Sequence, residues 1–412
     1  MLRIAAAGLA GLATLVVLVT PVPAAAGALR CDGLPPPGRV GADVPYEGRW
    51  YDPDRLAAVA TGAGIRVAVL DSGVDAGHPQ LRGRVDRGRD LLHGGPDARE
   101  DCVGHGTGVA SIIAARAVDG VGFRGLAPGA TVVPVRITEK EQIDGRDVGD
   151  DGSPAQFAEA IRWAADPAGG NADVINLSVV MTTDDRRVRR AVAGALERGV
   201  VVVAAAGNSG AAAQGDPTPY PAAYPGVIGV GAVTAAGVRA PFSQRGDHVD
   251  LVAAGEGVTM AALRAGHTVR QGTSFAAPFV AATAALVLQR FPGSSPAQVQ
   301  RRLVATADSA PGGRHSAEYG FGLLNPYRAV AETLDPDVAP APGPVVRHAA
   351  DPAELALRER RGEAQREALI VGAAGTGAAL LAGLMAGVLR RGRRRSWRPA
   401  GPAVADSRDG AR

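Results

Sequence analysis

The sequence predicts an α/β domain with a doubly wound, mostly parallel sheet. Short β-branched apolar runs alternate with segments of helical periodicity from Gly62 to Leu334, which is typical of right-handed strand–helix–strand units. These apolar runs suit strands that are covered on both faces. A hydrophobic content of 46% over 412 residues is enough for one large core with appendages.

The elements follow from the apolar runs and their end signals. The predicted strands are Ile65–Leu70, Thr131–Arg136, Asp173–Val180, Val200–Ala206, Val227–Val233 and His248–Ala253. The predicted helices cover 104–117, a segment from Pro154, 184–198, 276–291 and a segment from Pro296 to about Ala307. Two of these helices open with the same capping box, Ser153-Pro154-Ala155-Gln156 and Ser295-Pro296-Ala297-Gln298.

The N-terminal region is predicted to be an export signal followed by an arm. Residues 1–26 carry Arg3, the apolar run Ile4–Val19 and the small residues Ala24–Ala26, which is typical of a cleaved secretory signal. An uncleaved anchor is the alternative. Residues 27–61 contain Pro35-Pro36-Pro37 and little periodicity, so we expect an extended N-terminal arm.

The C-terminal region is predicted to contain a membrane anchor. The catalytic region would end at residue 334, and 335–367 would be a Pro-rich linker and juxtamembrane segment. Residues 368–389 hold 22 uncharged residues, enough to cross roughly 30 Å of hydrocarbon; a buried core helix is the alternative. Residues 390–412 carry eight arginines, which favours a cytoplasmic tail and an extracytoplasmic catalytic domain.

Composition excludes some classes of partner and ligand. The isoelectric point near 9.1 reflects the arginine-rich tail, because the remainder of the chain is mildly acidic; we therefore expect no nucleic-acid partner. The segment Glu139–Ser153 has six acidic residues but no EF-hand spacing. We expect a solvated loop there rather than a calcium site, and we predict no metal and no cofactor.

Three residues in separate motifs predict acyl transfer by a serine. Asp71 follows the first predicted strand, and carboxyl ends of parallel strands are where open α/β sheets place their sites. His105 lies in the first turn of a predicted helix, and Ser274 precedes an Ala-rich helical run. A nucleophilic serine needs a base and an acid that orients the base. The sequence therefore predicts Asp71, His105 and Ser274 as catalytic residues.

The motifs around these residues resemble a known family. Asp71-Ser72-Gly73, His105-Gly106-Thr107-Gly108-Val109-Ala110 and Gly272-Thr273-Ser274-Phe275-Ala276-Ala277-Pro278 resemble the three signatures of the subtilisin-like serine proteases, or subtilases, in the same order. The resemblance covers 62–334. It implies a subtilisin-like three-layer α/β fold and a serine endopeptidase that acts on protein or peptide substrates.

The resemblance also implies further site residues. Asn208 falls where subtilases place their oxyanion donor. Substrate would bind along two strand ends, which comprise Leu177, Ser178, Val179 and Val180, and Ala205, Ala206 and Gly207. Many subtilases have glycine at the position of Val180, so we expect a narrow pocket that takes small or modest side chains before the scissile bond. Proline is disfavoured in the interior of a helix, and Pro278 lies four residues after Ser274. Ser274 is therefore predicted to lie at the very start of its helix.

The two cysteines, Cys31 and Cys102, are predicted to form a disulfide. A pair of cysteines in an exported chain usually does so, and two free buried thiols are the alternative. This bond would fix the N-terminal arm three residues before His105.

The order of segments resembles a particular subtilase group. A signal, a short arm, a Pro-rich linker, one C-terminal span and a basic tail resemble the mycosins, proteases associated with type VII secretion systems in actinobacteria. This resemblance implies a single-pass cell-membrane protein that interacts with membrane components of type VII secretion. Two roles remain open beside each other: a peptidase, or mainly a structural stabiliser of the secretion complex. A released degradative subtilase is a third.

Overall fold

The structure of the chain is a computed structural model. It describes Cys31, residues 34–143, 146–210, 217–311, 313, 315–334, 383 and 385–391. The predicted signal, the predicted linker and most of the predicted span and tail lie outside the described residues. The chain forms two compact units, Met1–His348 and Ala349–Arg412.

The first unit contains a large parallel sheet. Its strands within the described residues are β1 (Arg66–Asp71), β2 (Arg89–Asp90), β3 (Thr131–Arg136), β4 (Glu141–Ile143), β5 (Arg146–Val148), β6 (Val174–Leu177), β7 (Val201–Ala205), β8 (Ile228–Val233), β9 (Leu251–Ala254), β10 (Val258–Ala261) and β11 (His267–Arg270). Of these, seven form a sheet in the order β2-β3-β1-β6-β7-β8-β9, and every neighbouring pair is parallel. The predicted α/β fold with a mostly parallel sheet is confirmed.

Helices cover both faces of this sheet. The described helices of the first unit are α1 (Tyr46–Tyr51), α2 (Pro53–Ala57), α3 (His105–Ala114), α4 (Pro154–Ala164), α5 (Arg186–Glu197), α6 (Thr273–Arg290), α7 (Pro296–Ala305) and α8 (Pro326–Ala331). Along β1, Val67 and Val69 join the core beneath α3 and α6, whereas Ala68 and Leu70 join the core beneath α4 and α5. Successive residues of a strand point to opposite faces, so β1 is buried on both sides.

Local signals in the sequence explain where several helices begin. The Ser153 and Ser295 hydroxyls accept hydrogen bonds from the amides of Gln156 and Gln298, and both capping boxes are complete. α6 is buried around its whole circumference from Thr273 to Val287, as expected of a central core helix.

Two regions differ from the sequence predictions. The N-terminal arm is not extended throughout, because α1 and α2 lie within it. These helices are too short to show periodicity, and tertiary contacts stabilise them: the rings of Tyr51 and Phe279 are 4.9 Å apart. The segment Glu139–Ser153, expected to be a loop, contains the antiparallel hairpin β4–β5.

The second unit is described over a short stretch. Residues 385–391 are helical, and Met385, Val388 and Leu389 are exposed. Among the described residues, no helix is long and apolar enough to cross a membrane. The predicted span 368–389 lies mostly outside the described residues and stays a prediction.

Candidate active site

Asp71 and His105 form a buried acid–imidazole pair. Asp71 ends β1 and its side chain is almost fully buried, while His105 opens α3 and is half-buried. The His105 Nδ1 atom lies 2.7 Å from Asp71 Oδ1, and the Ser72 amide donates to the same oxygen at 2.8 Å. A carboxylate at Nδ1 favours the tautomer with its lone pair on Nε2. The pair can therefore present Nε2 as a base.

Ser274 lies at the start of α6, as predicted. The helix begins at Thr273, so Ser274 is its second residue. Gly272 precedes the helix at φ 153°, and a Cβ atom there would lie 3.1 Å from Ser274 Oγ. Glycine thus keeps open the space beside the hydroxyl. First-turn amides lack intrahelical acceptors and lie at the positive end of the helix dipole.

Asn208 borders the same space from the end of β7. Its Oδ1 atom accepts hydrogen bonds from the Thr273 amide at 2.9 Å and the Thr273 hydroxyl at 2.8 Å. Because these two donors fix the oxygen, Nδ2 is left on the other side of the amide. The position of a Cβ on Gly272 lies 3.5 Å from Asn208 Nδ2 and 3.1 Å from Ser274 Oγ. An amide donor and a hydroxyl therefore face one small volume.

A single cleft contains these groups. Its volume is about 680 Å³, and His105, Asn208 and Ser274 all line it. Asp71 lies behind His105, away from the solvent. The structure thus brings all four residues that the sequence singled out, Asp71, His105, Asn208 and Ser274, to one place.

Ser178 holds the backbone of Ser274. Its hydroxyl donates to the Ser274 carbonyl oxygen at 2.8 Å and accepts from Asn176 Nδ2 at 2.9 Å. Sequence reasoning assigned Ser178 only to substrate binding. The structure adds this contact with the backbone of Ser274.

The other predicted substrate-binding residues lie at the carboxyl ends of adjacent strands. Leu177 ends β6 and Ala205 ends β7, which pair in parallel. Ala206 and Gly207 follow β7, and Val179 and Val180 follow β6 half-buried. Val180 packs against the α3–α6 core. Among the described residues, none of these seven positions, 177–180 and 205–207, lines the cleft that holds Ser274.

Sequence reasoning missed Asp101, which organises the start of α3. Its carboxylate accepts from the amides of Val103, Gly104 and Thr107 at 2.8–3.0 Å and from the Thr107 hydroxyl at 2.6 Å. The Ser72 hydroxyl also donates to it at 2.9 Å. Burial raises the pKa of Asp101, and these donors oppose that shift. An aspartate shortly before a helix is a capping signal that could have indicated this role.

Arg136, also missed, joins the loops on either side of the acid–imidazole pair. It is 1% exposed and lies beside Asp71 in the parallel register of β1 and β3. Its guanidinium donates to the Ser72 carbonyl at 3.0 Å, to Asp90 Oδ2 at 2.5 Å and to the Glu100 carbonyl. A buried cation needs such partners, and here they fix the loops that follow Asp71 and precede His105.

The predicted disulfide between Cys31 and Cys102 is present. The two Cα atoms are 5.1 Å apart, so the N-terminal arm is anchored directly before α3. In the portion of the chain that the structure describes, no cluster of three His, Cys, Asp or Glu residues is arranged to hold a metal ion.

Comparison with known proteins identifies the family. The sequence profile of the subtilase family matches residues 62–322. This chain therefore belongs to the subtilase family. Subtilisin E of Bacillus subtilis (strain 168) is 36% identical over 265 residues, which are 64% of this chain and 65% of subtilisin E. The chain therefore spans just under two thirds of that relative's length.

Solved structures of mycosins are also similar. MycP1, a serine protease and essential component of the type VII (ESX-1) secretion system, aligns with a TM-score of 0.61 and 29% identity, over 74% of this chain and 99% of MycP1. MycP3, a protease from the type VII (ESX-3) secretion system, aligns with a TM-score of 0.59 and 29% identity, over 74% and 99%. The predicted resemblance to subtilases, and among them to mycosins, is confirmed.

Proposed function

We propose that this chain is a serine endopeptidase whose catalytic triad is Asp71, His105 and Ser274. The observation that carries the proposal is the 2.7 Å contact between His105 Nδ1 and Asp71 Oδ1, in a cleft that His105 shares with Ser274. Belonging to the subtilase family supports the same chemistry.

The reaction follows from the roles that these groups can take. His105 Nε2 takes the proton of the Ser274 hydroxyl as Oγ attacks the substrate carbonyl carbon. Asp71 stabilises the imidazolium that results. When the tetrahedral intermediate collapses, the carbon–nitrogen bond breaks and the imidazolium protonates the leaving amine. Water then attacks the acyl-enzyme with His105 again as base, and Ser274 is released.

Two donors would stabilise the oxyanion of the intermediate. Asn208 Nδ2 borders the space next to Ser274 Oγ, and the amide of Ser274, in the first turn of α6, would be the second donor. Fixed donors in such a position are worth far more in the transition state than in the ground state. We assign Asn208 to this role because Thr273 already occupies its Oδ1 atom.

The acyl part of the substrate would bind along the ends of β6 and β7. An extended peptide can add as a strand to the backbone of 177–180 and 205–207. Val180 would narrow the pocket between them, which favours small or modest side chains before the scissile bond.

Peptide hydrolysis by purified protein tests the activity. Wild type is expected to cleave internally quenched peptides, and Ser274→Ala should lose this activity by a factor of roughly 10⁶. The matched control is Ser294→Ala, which removes the hydroxyl of a serine in the turn after α6. This variant should keep wild-type rates. Equal rates for wild type and Ser274→Ala would contradict the proposal.

The chain's placement at the membrane belongs to the same proposal. We assign 1–26 as signal, 27–61 as N-terminal extension, 62–334 as catalytic domain, 335–367 as linker, 368–389 as span and 390–412 as cytoplasmic tail. The uncharged composition of 368–389 supports the span. Cell fractionation tests it: the full chain should sediment with membranes and a chain ending at 367 should be released. Equal release of both, as a degradative subtilase requires, would contradict the anchor.

A second candidate function is structural support of a secretion membrane complex. It is favoured by the similarity to MycP1, which is itself an essential component of a type VII secretion system. A host strain carrying Ser274→Ala separates the roles. If the secretion complex assembles in that strain but not in a full deletion, the structural role is real. If the two strains behave alike, proteolysis is the function.

A further inference from the structure

The N-terminal arm forms part of the wall of the active-site cleft. Pro35 and Pro36 are exposed, and they line the same cleft as His105 and Ser274. The disulfide of Cys31 to Cys102 anchors the arm on one side of this wall. The arm is thus a component of the site as well as a cover for the core.

Backbone contacts fix the arm against the β10–β11 hairpin. The Gly38 amide donates to the Ala265 carbonyl and the His267 amide donates to the Arg39 carbonyl, both at 2.9 Å. The Arg264 guanidinium donates to the Pro35 carbonyl. A Cβ atom on Gly38 would lie 2.2 Å from the His267 carbonyl oxygen. Glycine is therefore required for this close approach.

The hairpin in turn rests on the helix that carries His105. The Ala261 amide donates to Ser111 Oγ at 2.9 Å. A Cβ atom on Gly108 would lie 2.3 Å from Met260 Sδ, and one on Gly104 would lie 3.1 Å from Leu263 Cγ. The arm, the hairpin and the start of α3 therefore form one packed wall.

Reaction geometry indicates which part of a substrate this wall meets. In the mechanism above, His105 protonates the leaving amine, so the chain beyond the scissile bond must pass His105. Val103 and Gly104, next to His105, line the cleft together with Pro35, Pro36 and Leu263. The ends of β6 and β7, proposed for the acyl part, are absent from the described lining of this cleft.

We propose that the N-terminal arm determines specificity for substrate residues on the leaving side of the scissile bond. This inference rests on the proposed function. Apolar side chains of the cleft would favour apolar substrate residues after the scissile bond. These side chains are Pro35, Pro36, Val103, Leu263, Val269 and Phe275. The described lining contains no Asp or Glu that could pair with a cationic side chain, so apolar residues are favoured over lysine and arginine at these positions. Proline lacks an amide hydrogen, so Pro35 and Pro36 donate no backbone hydrogen bond to the substrate, and their rings are the groups that would contact its side chains.

Two kinds of substrate separate this inference from the proposed function. The first is a peptidyl coumarin amide, which carries no residues beyond the scissile bond. The second is a set of three quenched peptides with one acyl sequence and Leu, Lys or Ala directly after the scissile bond. For each variant, the Leu/Lys and Leu/Ala ratios of kcat/KM are measured, and coumarin release serves as the reference for catalysis. Circular dichroism melting checks that each variant is folded.

Replacing the arm prolines should change the ratio. Wild type is expected to prefer Leu, and Pro35→Gly/Pro36→Gly should lower the Leu/Lys ratio by roughly tenfold, the effect of losing a few apolar contacts. Val44→Ala is the matched arm control, because Val44 is exposed and outside the described cleft lining; it should keep the wild-type ratio. Pro36→Phe, which adds bulk at the wall, should shift the preference from Leu toward Ala severalfold.

The outcomes are distinct. An unchanged Leu/Lys ratio in the folded double variant, or an unchanged Leu/Ala preference in Pro36→Phe, would overturn the inference while leaving the protease intact. Absence of coumarin release and peptide cleavage by wild type would overturn the proposed function and this inference with it.

Discussion

The Ser178 hydroxyl donates a 2.8 Å hydrogen bond to the carbonyl oxygen of Ser274. In a regular helix this carbonyl would accept from the amide four residues later, but that residue is Pro278, which has no N–H. The proline inside α6 and the serine after β6 are therefore complementary. Together they fix the backbone of Ser274 from outside the helix.

Replacing Ser178 by alanine should leave the Ser274 carbonyl buried and unsatisfied. We expect Ser178→Ala to lower the free energy of unfolding by about 1–3 kcal/mol. Pro278→Ala restores an amide at the right place, so the same change should cost clearly less in a Pro278→Ala background. Urea denaturation of the four chains of this double-mutant cycle measures the coupling. Strict additivity would show that Pro278 and Ser178 are independent.

Replacing Asn208 should affect turnover more than binding. Asn208→Ala is expected to lower kcat by roughly 10²–10³-fold with little change in KM, because the donor acts on the oxyanion. Thr273→Val should lower kcat less, since it removes only one of the two bonds that orient the Asn208 amide. Thr273→Ser keeps this hydroxyl and should therefore keep the kcat of the wild type. An increase in KM alone would indicate a binding role for Asn208.

Val180 should limit the size of the residue before the scissile bond. In wild type we expect peptides with Ala before the bond to be cleaved faster than peptides with Phe. Val180→Gly should raise kcat/KM for the Phe peptide by roughly tenfold or more, because it opens the pocket. Val238→Gly, an exposed valine elsewhere, is the control. Efficient cleavage after Phe or Tyr by the wild-type protein would contradict the prediction.

Glu47 should make stability depend on pH. It is 2% exposed in α1 and accepts from the Thr259 amide at 3.0 Å. Burial raises its pKa from 4.5 to about 7. A raised carboxyl pKa means that the folded state binds the proton more tightly. The contribution of Glu47 to the free energy of unfolding is therefore complete below pH about 4.5. It is lost as the pH rises toward 7, by roughly 3 kcal/mol.

The matched variant for this effect is Glu47→Gln, which cannot ionise. Between pH 4.5 and pH 8, Glu47→Gln should become more stable relative to wild type by roughly 3 kcal/mol in free energy of unfolding. Urea denaturation at several pH values measures it. A difference that stays constant with pH would show that Glu47 titrates normally.

Much of the site could be predicted from the sequence because its signals are local. Asp71 lies at the carboxyl end of a strand, and His105 and Ser274 lie at the starts of helices whose patterns are clear. In an open α/β sheet, sites form at the edge where the strands have their carboxyl ends. The start of α6 could be placed before the structure was known, since Pro278 limits how far Ser274 can lie inside the helix.

Other features depend on contacts between distant parts of the chain. α1 has six residues, too few to be stable alone, and it exists because Tyr51 packs on Phe279. Arg264 and Pro35 are 229 residues apart in the chain, so no local pattern predicts that the N-terminal arm lines the cleft. The role of Arg136 likewise required knowing which loops surround it.

Covalent labelling shows whether Asp71 and His105 activate the Ser274 hydroxyl. A fluorophosphonate reacts with a serine hydroxyl only when a base activates it. Mass spectrometry of the digested, labelled protein should find one adduct, on Ser274, and His105→Ala should label at least roughly 10³-fold more slowly. An adduct on another serine, or labelling of Ser274 at the same rate in His105→Ala, would show that Asp71 and His105 do not activate Ser274.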